Sequence, residues 1–210
     1  MKNWIVTIVI VLVLAGAFAL MRFGGSQPVG EGTQIAEVTE ADHIEGDINA
    51  KAVLVEYGDF QCPACAAYYP LVEQLTEEYG DRMAFVFRHF PLRSIHKNAE
   101  IASRSAEAAG LQGKFWEMYD LIYQNQASWA NELGTVDIFT SYAESLGLDV
   151  EKFKADLTSD VVIDAINKDL REGNSAGINA TPTFFFNGEL VSGVRSIDDF
   201  RQLVEGALAE

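Results

Sequence analysis

A chain of 210 residues, 49% hydrophobic and 22% charged, has room for one globular domain plus an extension. Generic disorder, collagen and a porin-like barrel are excluded as the main body. The net charge of −16 excludes a further class: only Lys2 and Arg22 precede the first acid, Glu31, so the remainder is more negative still, repels phosphate backbones and is expected to bind no nucleic acid.

Trp4 to Met21 is an apolar run with one polar member, Thr7. At about 1.5 Å per residue it just spans a hydrocarbon core of about 30 Å. A cleaved signal peptide is the competing reading, with Ala17-Phe18-Ala19 as its cleavage site. The run is longer than an ordinary signal core and Arg22 follows at once, which favours an uncleaved anchor. Its short N-terminus places the body outside the cytoplasm, at the cell membrane and single-pass, although Lys2 and Arg22 nearly balance. The Gly- and Pro-rich stretch that follows reads as a flexible tether. The expected layout is thus an anchor over 1–23, a tether over 24–42 and a domain over 43–210.

Within the domain, Ala52–Tyr57 is a short apolar run that predicts a buried strand, broken by Gly58-Asp59. A helix is expected from Pro63 to Tyr79, kinked at Pro70. Met83–Phe90 predicts a second strand, so the three elements form a βαβ unit with a parallel pair. About residues 95–173 read as helical. Ala99, Ala102, Ala106 and Ala109 mark one stripe before Gly110, and Phe115, Met118 and Ile122 a second. Val136, Phe139, Ala143 and Leu146 mark a third stripe closed by Gly147, and Ile163, Ile166 and Leu170 a last one before Gly173. Thr183–Phe186 is an aromatic strand, Asn187-Gly188 a hairpin turn, and Ser196–Ala209 a closing helix. The predicted fold class is α/β, with a mixed sheet interrupted by a helical insertion.

The two cysteines, Cys62 and Cys65, form a C-x-x-C. Structural zinc needs four ligands, and beyond this pair the chain offers only His43, His89 and His96, scattered in sequence. A redox pair fits better. The strand ending before the motif puts Cys62 at a helix N-terminus, where unsatisfied N–H groups and the macrodipole favour a thiolate. Cys62 is expected to be the exposed attacking thiol and Cys65, one turn in, the resolving one. Pro63 sits early in the helix, where its missing N–H costs little.

Glu56 to Cys65 resembles the active-site segment of the DsbA-like thiol–disulfide oxidoreductases of the thioredoxin superfamily, as do Phe87–Leu92 and Gly177–Phe184. Order and spacing match, and the resemblance covers about residues 43–210. The tether resembles that of membrane-anchored bacterial members. The resemblance implies a thioredoxin-like fold and a cis peptide at Thr181-Pro182. Pro182 is then expected to pack against the cysteines and the Thr181 backbone to pair with a bound substrate strand. It also implies that Glu56 is a buried acid accepting the Cys65 proton; read from the residues alone, a strand-end carboxylate in water is the alternative. His89 matches a basic strand position of the family, and Asp59 reads as a turn residue. One departure stands out: the strongly oxidising prototype carries Pro-His between its cysteines, whereas Pro63-Ala64 offers no imidazole to hold the thiolate.

The expected activity is oxidation of cysteine-containing exported proteins through a mixed disulfide at Cys62, by a monomer. A separate membrane protein would reset the pair, and no cofactor is expected. A reductase or isomerase on the same fold and, more distantly, a peptide-binding holdase are the alternatives.

Overall fold

The computed structural model describes residues 34–209. The expected anchor over Trp4–Met21 lies outside them, and among the described residues no helix is long and apolar enough to cross a membrane. The elements are β1 (His43–Gly46), β2 (Ala52–Gly58), α1 (Pro63–Tyr79), a 3-10 turn (Gly80–Arg82) and β3 (Met83–His89). A helical block follows: α2 (Ala99–Gly110), α3 (Phe115–Gln124), α4 (Gln126–Trp129), α5 (Thr135–Ser145), α6 (Val150–Asp156) and α7 (Asp160–Ser175). The chain closes with β4 (Thr183–Phe186), β5 (Glu189–Leu190) and α8 (Ile197–Ala209).

The sheet order is β1-β3-β2-β4-β5. β2 and β3 are parallel, as the βαβ reading predicts, and the other pairs are antiparallel, so the sheet is mixed. All seven residues of β3 are buried, as expected for a strand covered on both faces. Side chains alternate across the sheet. Leu54, Phe85 and Phe87 point into a core with Val72 and Leu75 of α1, Tyr119 of α3 and Phe200 of α8. Val55, Tyr57, Val86 and Phe185 pack on the opposite side with Phe90 and Ile178. Glu56 shares the face of Leu54, so the strand carries its one carboxylate toward α1 and the helical block.

The structure departs from the sequence reading at several places. β1 was not expected, because His43–Gly46 is short and lacks apolar alternation; its order comes from pairing with β3. The short helices α4 and α6 were also unforeseen. Val136, expected on a core stripe, is exposed. Gly173 does not end α7, which continues to Ser175. A Cβ at Gly173 would come within 2.8 Å of the Phe90 ring, so this glycine serves a close approach and not a cap.

The described part of the expected tether is not free. Arg88, buried in β3, donates to Asp42 at 2.8 and 3.3 Å and to the carbonyls of Ala36 and Glu37 at 3.0 and 3.1 Å. Its Nη1 also donates to the Tyr57 hydroxyl at 3.0 Å. One guanidinium thus straps residues 36–42 to the sheet. Removing one partner of a buried ion pair strands the other charge, so Arg88→Ala is expected to lower stability by about 3–5 kcal/mol. Urea denaturation measures the loss, and limited proteolysis should find the 36–42 segment cut faster in the variant.

Candidate active site

Residues from four places meet at the C-terminal end of β2. Gly58 ends that strand opposite His89 of β3, and the turn Asp59–Gln61 delivers Cys62 as the N-cap of α1, with Pro63 in the first turn. A Cβ at Gly58 would lie 2.3 Å from the Phe87 ring and 3.0 Å from Glu56 Oε1, so only glycine fits there. Pro63 and Ala64 are exposed. Cys62 keeps 7% of its surface and Cys65 1%. The expected order of exposure holds, but Cys62 is far less open than a helix-end position suggested.

Both cysteines are free thiols. As a thiol, Cys62 donates to the Thr181 carbonyl at 3.3 Å. As a thiolate it is stabilised first by the Cys65 thiol, then by the Thr181 side chain and the N–H groups of Cys65 and Ala64, which bring its pKa down to about 5 against the opposing effect of burial. The buried Thr181 hydroxyl has no hydrogen-bond partner among the described residues. Cys65 moves the other way. Burial, its bond to Cys62 and the nearby Glu56 charge raise its pKa well above that of a free thiol. Its sulfur accepts from the Asp59 N–H at 3.5 Å.

Glu56 is 1% exposed, which decides for the buried acid over a strand-end carboxylate in water. Burial pushes its pKa up to about 8, opposed by a hydrogen bond with Cys65 and reinforced by charge on Cys62. Its Oε1 has no hydrogen-bond partner among the described residues. At neutral pH the carboxyl is therefore protonated and in contact with the resolving sulfur. The Thr181-Pro182 peptide is cis, as the resemblance implies.

Other residues that hold this end of the fold escaped the sequence reading. Asp59 is fully buried, not a solvent turn residue. Its carboxylate accepts from the Gln61 N–H at 2.7 Å and the Leu92 N–H at 2.8 Å, and pairs with His96 Nδ1 at 2.6 Å. The Gln61 amide bonds the Ala130 carbonyl and the Asn98 N–H, both at 2.6 Å. From the helical block, Gln126 donates to the carbonyls of Phe60 and Cys62 at 2.7 and 3.0 Å. Only their polar character next to the motif was visible, and Gln126 lies too far along the chain for spacing to reveal it. His89 is buried in contact with Glu107, at 2.9 Å, instead of with a cysteine.

A family model described as thioredoxin matches residues 38–206. The chain belongs to the thioredoxin family. Among solved structures, BdbD from Bacillus subtilis is similar with a TM-score of 0.71 at 22% identity, over 84% of this chain and 97% of that one. Alpha-DsbA1 from Wolbachia pipientis reaches 0.72 at 21% identity, over 82% and 93%. The catalytic domain of Proteus mirabilis ScsC reaches 0.67 at 22%, over 82% and 92%. At these identities the likeness establishes the fold, a DsbA-like thioredoxin fold with its helical insertion.

Curated relatives carry other names. The Na(+)/H(+) antiporter NhaA 1 of Mycolicibacterium vanbaalenii is 38% identical over 164 residues, which make up 77% of this chain and 26% of that protein. The Na(+)/H(+) antiporter NhaA of Herminiimonas arsenicoxydans is 40% identical over 154 residues, 73% of this chain and 24% of that protein. The thioredoxin-family chain thus spans about a quarter of the length of these curated relatives.

Two measurements follow from the site. Alkylation of Cys62 in the reduced protein should stay fast as pH falls, with its midpoint at about 5 in place of the ordinary thiol value. Glu56 carries the opposite sign. Between its ordinary pKa of 4.5 and its folded value of about 8, the native state holds a proton that the unfolded chain has lost. The contribution of Glu56 to native stability therefore falls as pH rises through that window, against the rising contribution of the low-pKa Cys62. Glu56→Gln removes this cost, so its stability relative to the parent should be unchanged below pH 4.5 and climb toward pH 8 in denaturation curves.

Proposed function

We propose that the protein is a thiol–disulfide oxidoreductase working as an oxidase of exported, cysteine-containing proteins. The opposed shifts of the two thiols carry this reading: Cys62 is stabilised as a thiolate while Cys65 is held as a thiol. A pair whose reduced form gains stability from a low-pKa thiolate gives up its disulfide readily and so oxidises others.

A substrate thiolate attacks the Cys62 sulfur of the disulfide form. The Cys62–Cys65 bond breaks, and the leaving Cys65 thiolate takes the Glu56 proton. A second substrate thiolate then attacks the substrate sulfur of the mixed disulfide and expels Cys62 as its stabilised thiolate. The substrate has lost two electrons and the pair has gained them. Resetting runs in reverse, through Cys62 attack on the disulfide of a membrane redox partner and return of the Cys65 proton to Glu56. Pairing of the substrate backbone with Thr181 is supported by the nearness of its carbonyl to Cys62, at 3.3 Å. The apolar run over Trp4–Met21 supports an anchored protein with its domain on the extracytoplasmic side. Ion transport is not carried over from the antiporters, since a 164-residue alignment within this chain falls mainly on the thioredoxin-family domain.

Ala64 favours the second reading, a reductase, because it adds only its backbone N–H to the thiolate. The reduction potential of the Cys62–Cys65 pair, equilibrated against glutathione, separates the two. A value near about −120 mV supports the oxidase, and one near about −270 mV the reductase. Retention of full exchange activity by Cys62→Ser would overturn both.

A further inference from the structure

Two of the three histidines, far apart in sequence, meet in the fold. His43 of β1 and His89 at the end of β3 both direct Nε2 at one carboxylate oxygen, Oε1 of Glu107 in α2, at 2.7 and 2.9 Å. His89 and Glu107 are buried and His43 is half-buried. Aromatic rings fix both imidazoles. His43 stacks on Phe115 at 3.4 Å with 6° between the planes, and His89 stands edge-on to Phe87 and Phe115. The three donor atoms lie within 4.8 Å of one another.

This donor set is chemically distinctive. Two neutral imidazoles and a carboxylate are the three protein ligands of an open zinc site, and they suit zinc-class ions better than calcium or magnesium, which prefer oxygen alone. Zinc bonds of ~2.0–2.2 Å ask the donors to stand somewhat farther apart than a hydrogen bond holds them. Space for that adjustment exists: a cavity of about 90 Å³ opens on His43 and Glu107, lined also by Asp42, Lys168 and Asp169. Around it, the carboxylates of Glu107, Asp42 and Asp169 outnumber the cations Lys168 and Arg88, which both approach Asp42. A divalent ion therefore enters a region with an excess of negative charge.

We propose that His43, His89 and Glu107 form a binding site for a zinc-class divalent ion, its fourth position facing the cavity, that ties β1 and β3 to α2. The site is separate from the cysteines and independent of the exchange reading. A closed ion triad that takes no metal is the competing state of the same three residues.

The test uses the untagged full-length chain carrying Cys62→Ser and Cys65→Ser, so that thiolates do not compete for metal. Equilibrium dialysis against Zn²⁺ should find one bound ion per chain, and the melting temperature should rise with Zn²⁺ concentration. His43→Gln, at the half-buried ligand, should weaken binding by about 10-fold or more and abolish the shift. Cobalt(II) added to the same cysteine-free chain gives a check that needs no ligand variant: tetrahedral visible bands are expected. No saturable Zn²⁺ uptake, uptake indifferent to His43→Gln, or cobalt spectra of the aquo ion alone would overturn the proposal.

Discussion

A carboxyl group confined to a dry layer beside a sulfur is the constraint on which this structure turns. Glu56 lies on a strand paired along both edges, and among the described residues its carboxyl has Cys65 as its hydrogen-bonding neighbour. Such a group stays neutral in preference to bearing an uncompensated buried charge. The rest of the site follows from keeping it there. Gly58 has no side chain because one would collide with Phe87 and with Glu56 itself. α1 must start within a few residues, which sets its free N–H groups at Cys62. The two sulfurs, one turn apart, then face opposite conditions: one meets donors, the other a desolvated acid.

The helical insertion is more than a cover for the core. Gln126 reaches the carbonyls of Phe60 and Cys62, and Gln61 reaches back to Ala130. These bonds run in both directions across the boundary between block and sheet. Asp59 adds a buried carboxylate that gathers Gln61, Leu92 and His96. Charge-assisted bonds of this kind are stronger than neutral ones, so the active-site turn is fixed by contacts that leave its two sulfurs free to react.

Local signals were legible where sequence neighbours decide the outcome. α1 was read to its ends because Pro63 is well suited to the first turn of a helix and the apolar stripe runs on toward Tyr79, even though Pro70 lies inside it. β2 and β3 were read from their apolar runs, and the Thr181-Pro182 bond from resemblance. What escaped depended on partners distant in the chain. β1 exists through its pairing with β3, Gly173 is set by the Phe90 ring, and His43 and His89 meet only because β1 folds back along β3 beside α2. Asp59 has the composition of an ordinary turn residue, and nothing local distinguishes a solvated carboxylate from one that collects three donors. The tether expectation failed over residues 36–42 for the same reason: Arg88 binds them from another strand.

Pro63 and Ala64 are exposed between two buried sulfurs. Their side chains touch little of the core, while their backbone and their position between the sulfurs bear directly on the thiolate. Replacing them changes the chemistry at little risk to folding; replacing Gly58 or Asp59 risks the fold itself. The redox character of such a domain can therefore drift quickly between lineages on an unchanging scaffold, through two adjacent codons.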